Sequence, residues 1–129
     1  MEVHMLSREE LEDGMVQFIG TEHYHKWSLL FRNIVLTDGV KWLADNAECY
    51  WLMDLIASYQ SFPTVRRNPF QVWKIKVNTS AQAMIVCEDG NNNELAHQFI
   101  EFTDMPLAEV DLWVEEGDGY RVILLPNEH

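Results

Sequence analysis

Basic residues are nearly missing from the last third of this chain. From Ala83 to His129 there is one, Arg121, against eleven Asp and Glu. The first 25 residues hold six acids against Arg8, and only the stretch from Lys26 to Gln82 is mildly basic, with seven Lys/Arg and four Asp/Glu. The formal charge of −12 is therefore lopsided. Such a charge repels nucleic acid and anionic membranes and attracts basic partners. No apolar run approaches the roughly 20 residues of a membrane span. The start, Met1 to Glu10, lacks the basic residues and apolar core of a signal peptide, so a soluble, cytoplasmic protein is expected. With only Cys49 and Cys87, two reduced thiols are expected rather than a disulfide framework. Gly14, Gly20, Gly39 and Gly90 are isolated, no phosphate-binding GxGxxG or P-loop pattern occurs, and no serine sits in a G-x-S-x-G elbow.

What is present is core material. Hydrophobic residues make up 47% and aromatics 12% of 129 residues, five of them Trp. That suffices for one domain, 1–129, without staples. Ser7 and Glu10 form a capping box, and Leu11, Met15 and Phe18 follow at helical spacing, predicting a helix over 8–18 with Gly14 inside it. Residues 21–36 hold Tyr24, Trp27, Leu29, Leu30, Phe31, Ile34 and Val35, which suggest one or two short strands. Thr37-Asp38-Gly39 is a helix start, and two apolar periodicities predict helices over 38–46 and 48–60, with Trp42 and Trp51 as core pieces. Residues 61–68 read as a linker.

From Phe70 the period changes to two. Strands are predicted over 70–77, 83–87, 95–103, 110–114 and 120–125, joined by turns such as Asp89-Gly90 and Gly117-Asp118-Gly119. The fold class expected is α+β: N-terminal helices packed on one face of a C-terminal antiparallel sheet, a meander of about five strands. Trp42, Trp51 and Leu55 should pack on the face that carries Trp73, Ile75 and Val77.

Each candidate site has an ordinary competitor. His23 and His25 alternate along a possible strand and start a zinc site only if His4, His97, Cys87 or a carboxylate completes it; paired short ligand spacings are missing, so surface histidines are the preferred reading. The run from Glu88 to Glu94 imitates a calcium loop at Asp89, Asn91 and Asn93, then fails at Glu94, where glycine is needed, and at Ile100, where a bidentate acid is needed. A polar turn is preferred there. The 48–60 helix carries Glu48 and Asp54 and no cation, which argues against a DNA-recognition helix, and Arg66-Arg67 with Lys74 and Lys76 is the only basic cluster. No catalytic residue, metal or cofactor is therefore assigned. The ordinary reading of the acidic last third is a solvated surface. The sharper reading is a surface that docks a basic protein through Glu88, Asp89, Glu94, Glu115, Glu116 and Asp118.

Several blocks occur in a familiar order. They are Phe18-Ile19-Gly20-Thr21-Glu22, Leu36-Thr37-Asp38-Gly39-Val40, Tyr50-Trp51-Leu52, Val72-Trp73-Lys74, Glu88-Asp89-Gly90, Thr103-Asp104-Met105-Pro106-Leu107 and Leu124-Leu125-Pro126-Asn127-Glu128. Over nearly the whole chain this pattern resembles a family of small bacterial, phage and plasmid proteins classed as a domain of unknown function. The resemblance implies no activity, cofactor or site residue. It does imply a mobile-element setting, in which an acidic accessory protein that inhibits or modulates a host protein is plausible. The leading expectation is thus a non-enzymatic protein-binding module that takes neither nucleic acid nor membrane. A small metal-dependent hydrolase using His23 and His25, or a plain structural component, is the alternative.

Overall fold

The computed structural model describes residues 6–27 and 33–129. His4 and the run Leu29 to Phe31 lie outside the described residues. Helix α1 spans Arg8–Met15, followed by strands β1, Tyr24–Lys26, and β2, Ile34–Thr37. Three helices come next: α2, Asp38–Asn46; α3, Tyr50–Tyr59; and α4, Pro63–Arg66. Then come β3, Phe70–Val77; β4, Ala83–Glu88; β5, Glu94–Ile100; β6, Glu109–Glu116; and β7, Arg121–Leu124, closed by a 3-10 turn, Pro126–Glu128.

The α+β class holds, but the sheet differs from the expected meander. It has seven strands in the order β1-β2-β7-β6-β3-β4-β5, and it is mixed because β2 and β7 run parallel. The two further strands, β1 and β2, fall on the 21–36 stretch that suggests one or two short strands, but their place in this sheet has no local signal. All four residues of β2 are buried, so it shows no period-two alternation. The meander breaks after β5. Residues 101–108 cross the end of the β3–β4 hairpin, held by the Thr103 N–H on the Ala81 carbonyl at 2.8 Å, with Met105 and Leu107 buried as plugs. The chain thus returns on the far side of β3, where β6 pairs with it.

Local signals explain most element ends. The Ser7–Glu10 capping box opens α1, which ends at Met15 rather than Phe18. Gly14 is required by packing: a Cβ there would lie 2.1 Å from the Trp42 ring. Thr37 caps α2 by accepting the Val40 N–H, and Glu48 turns the chain into α3 with a positive φ of 51°. The stretch read as a linker contains α4, which starts on Pro63, whose fixed φ suits a first turn.

One face of the sheet carries Gln71, Trp73, Ile75, Ile85, Cys87, Val110, Leu112, Val114 and Ile123, all buried. The helices bury Leu11, Val40, Leu43, Leu52, Met53 and Ile56 into the same core. Trp42, Trp51 and Leu55 pack half-buried against that cluster, as does Val77. Tyr59 of α3 tilts against Trp73 with ring centroids 5.6 Å apart. The other face is mixed. Val35, Val122 and Leu124 form a small second cluster with Trp113 and Tyr120, while Lys74 and Lys76 lie opposite Asp111 and Glu109 in register. No helix among the described residues is long and apolar enough to cross a membrane.

Candidate protein-binding surface

The topology brings the six acids singled out above to one end of the sheet. Strand β3 begins at Phe70, which lies opposite Glu115 where β6 is ending, and Val72 lies opposite Glu88 where β4 ends. The β4–β5 turn therefore flanks β3 on one side and the β6–β7 turn on the other. The Phe70 ring marks the middle: a Cβ on Gly90 would sit 3.0 Å from it, and it meets the Trp113 ring edge-on at 5.3 Å.

The two turns are built differently. In the first, the Asp89 carboxylate accepts the N–H groups of Asn91 at 2.8 Å and Asn93 at 3.2 Å and the Asn93 side-chain amide at 2.9 Å. The Asn93 bond, followed by the backbone bonds, holds its pKa below the usual carboxylate range. Asp89 is thus the organiser of a hairpin turn, and Gly90 and Asn92 supply the positive φ values it needs. Glu88 pairs with Lys74 at 3.0 Å, which raises the lysine pKa, and Glu94 bonds the His97 Nδ1 at 2.9 Å.

The second turn stands on a polar base. Arg121 donates through Nη1 to the Gln60 Oε1 at 2.7 Å and through Nη2 to the Arg66 carbonyl, with Glu116 at 3.7 Å. Gln60 and fully buried Gln71 exchange amide hydrogen bonds at 2.9 Å, and the Trp73 indole N–H donates to the Gln71 Oε1 at 3.0 Å. Such a fully satisfied network fixes the β6–β7 turn to α3 and α4. Glu115 meets the His129 Nε2 at 2.6 Å. Asp118 at the tip is exposed and has no ion pair among the described residues. Arg66, Glu116 and Asp118 line one cavity of about 770 Å³ with Arg121.

Sequence reasoning therefore located the acids and missed their partners. Lys74, His97, Arg121 and His129 each engage one of the six. Only register places Lys74 beside Glu88, and only the β6–β7 hairpin places Arg121 beside Glu116.

The histidine reading fares differently. His25 lies on edge strand β1 and His97 on the opposite edge strand β5, six strand spacings away, or about 29 Å. Cys87 is buried on β4, next to that far edge. No group of three His, Cys, Asp or Glu arranged for a metal occurs among the described residues. His25 instead meets Asp38 at 2.8 Å, and the second Asp38 oxygen accepts the N–H groups of Glu22 at 3.0 Å and His23 at 3.3 Å. The His25 bond leads in lowering the Asp38 pKa to about 2. This pair ties β1 to the start of α2. Burial pushes both thiols, Cys49 and Cys87, up to about 12, so neither is a nucleophile near neutral pH.

A family model described as a family of unknown function, DUF6876, matches residues 9–129. The chain belongs to that family. No curated protein matches it. Among solved structures, the crystal structure of a protein of unknown function from Enterococcus faecalis superposes with a TM-score of 0.53 at 13% identity, covering 83% of this chain and 98% of that one. At that identity the likeness shows the fold alone.

Proposed function

We propose that this DUF6876 member is a non-enzymatic, cytoplasmic protein-binding module whose acidic sheet end docks a basic surface on its partner. The observation that carries the reading is the convergence of the β4–β5 and β6–β7 turns around Phe70, which gathers Glu88, Asp89, Glu94, Glu115, Glu116 and Asp118. Glu116 and Asp118 are exposed at the tip, Asp118 with no ion pair among the described residues, and the Arg121–Gln60–Gln71 network underlies the turn that carries them before a partner arrives. Pre-organisation lowers the ordering cost of binding. The overall charge of −12 steers a basic partner and opposes nucleic acid and anionic membranes. The setting that fits is a phage or plasmid accessory protein that inhibits or modulates a host protein.

The test is affinity capture from a bacterial host lysate with mass spectrometry, comparing the parent with a variant carrying Glu115→Lys, Glu116→Lys and Asp118→Lys. A specific basic partner should be lost in the variant, and its capture by the parent should weaken as salt rises. Capture that ignores both the reversal and the salt overturns the proposal.

A further inference from the structure

A second surface lies at the other end of β6, about 17 Å from the acidic tip along the strand. Its key is a ladder that stops early. Strand β7 pairs with β6 from Glu116↔Arg121 to Trp113↔Leu124 and no further. The next partner in that register for Asp111 would be Pro126, which has no N–H and opens the 3-10 turn. The partner for Glu109 would be Glu128, whose carboxylate is turned inward to Thr37 and Gly39.

Alternation shows which backbone groups are left over. In an antiparallel ladder, successive residues bond to opposite neighbours. The Glu116 N–H donates to the Pro69 carbonyl at 3.0 Å and the Val77 N–H to the Ala108 carbonyl at 2.7 Å, so even-numbered β6 residues face β3. The Gly117 N–H donates to the Tyr120 carbonyl at 2.8 Å, so odd-numbered residues face β7. The N–H and C=O groups of Glu109 and Asp111 therefore point to the side that β7 has vacated. Among the described residues no backbone group bonds them from that side, and a strand edge of this kind is a template for another strand.

This edge opens into a groove of about 370 Å³ between α1 and the segment 125–127. Met15, Val16, Leu107, Leu125 and Pro126 supply apolar walls, and Val16 is 64% exposed. Glu12, Glu109 and Asp111 supply the rim. Its local counter-charges are Arg8, which pairs with Glu12 at 2.8 Å, and Lys76, which lies opposite Glu109 in register. Lys74, opposite Asp111, reaches instead to Glu88 on β4. The size suits a short segment of chain.

We infer that this groove binds an extended, basic peptide segment of a partner, which adds as a short strand to the free edge of β6 at Glu109–Asp111 and sets its cations on Glu12, Glu109 and Asp111. Main-chain hydrogen bonds supply the affinity and alternate side chains the selection, as in other strand additions. The apolar walls accept the side chains between the cations.

The experiment titrates isotope-labelled protein with a peptide alternating lysine and valine, read by amide chemical shifts and amide hydrogen exchange. The controls are the same peptide with glutamate for lysine and with proline at its centre. Shifts are expected at Met15, Val16, Glu109, Asp111 and Asn127, with slowed exchange of the Asp111 amide, and with neither control matching the parent peptide. Glu12→Lys with Glu109→Lys should weaken binding about tenfold or more. Asp111→Pro removes a groove-side N–H together with the Asp111 carboxylate and should abolish the binding, whereas Asp111→Asn keeps the N–H and should only weaken it; the charge pair keeps the test decisive if the proline variant does not fold. Reversal at Glu115, Glu116 and Asp118 should leave this binding unchanged, which separates it from the acidic tip. No shifts at about 1 mM peptide, shifts confined to residues 88–94 and 115–118, or equal binding of the glutamate peptide overturns the inference.

Discussion

Glu128 is the carboxylate on which the end of the fold depends. It is 8% exposed and accepts three hydrogen bonds: from the Thr37 hydroxyl at 2.5 Å, the Gly39 N–H at 3.0 Å and the Leu125 N–H at 3.0 Å. The first two sit at the N-terminus of α2, where the helix dipole favours an anion. Gly39 is what allows the approach, since a Cβ there would lie 2.7 Å from the Glu128 Oε1. A hydrogen bond to a charged group contributes about 1.5–3 kcal/mol, and a buried donor left unpaired costs about 1–3 kcal/mol. Glu128→Ala strands three donors, but the C-terminal turn can lift and admit water, which offsets part of the sum. The expected loss is about 3 kcal/mol, or roughly 10 °C in Tm for a chain of this size. Glu128→Gln keeps one acceptor oxygen and turns an NH₂ group toward a donor, for about 1–2 kcal/mol. Urea unfolding followed by tryptophan fluorescence measures both, with the midpoint compared at constant slope. A cycle with Thr37→Val should show coupling above about 0.5 kcal/mol, because the two side chains share one bond. If Glu128→Ala stays within about 0.5 kcal/mol of the parent, the carboxylate does not hold α2 and the reasoning fails.

Further outcomes follow from other contacts. Gly14→Ala adds a methyl where the Trp42 ring lies 2.1 Å away, so it should destabilise by about 1–3 kcal/mol despite alanine's better helix propensity, and a stabilised variant in the same melt would show that α1 shifts freely. The folded pKa of Asp38, about 2, lies below its ordinary value, so its contribution is present above about pH 4 and is lost as pH falls toward 2. Acid titration of folding should be flatter in that window for Asp38→Asn than for the parent. Burial of both thiols predicts that Cys49 and Cys87 resist a thiol reagent at pH 8 in the native protein and react when it is unfolded; fast native labelling would contradict their placement.

Local chemistry was legible in the sequence by itself. The Ser7–Glu10 box, the Thr37 cap and the apolar periodicities of α2 and α3 act within a few residues, so α2 is found over its full length and α3 within two residues at its start. Period two placed β3, β4, β6 and β7 because each buries one face or lies near a turn. The resemblance to a family of unknown function was carried by ordered blocks, and a match over 9–129 bears it out at that level. Tertiary structure decided the rest. The residues of β1 and β2 suggested short strands, but β2 is buried throughout and shows no alternation, so its parallel pairing with β7 was not visible. The return of β6 to β3 depends on a crossover anchored at Ala81, a contact 22 residues from Thr103 in sequence. Gly14 looked like a helix fault until Trp42 came to lie on it. The acids of the last third were countable, but their gathering at one sheet end, and their pairing with Lys74, Arg121 and His129, needed register. The unpaired edge at Glu109 and Asp111 required both the length of β7 and the inward turn of Glu128. Caps and periodicity are short-range and written in neighbouring residues; strand order and free edges arise from pairings between distant ones.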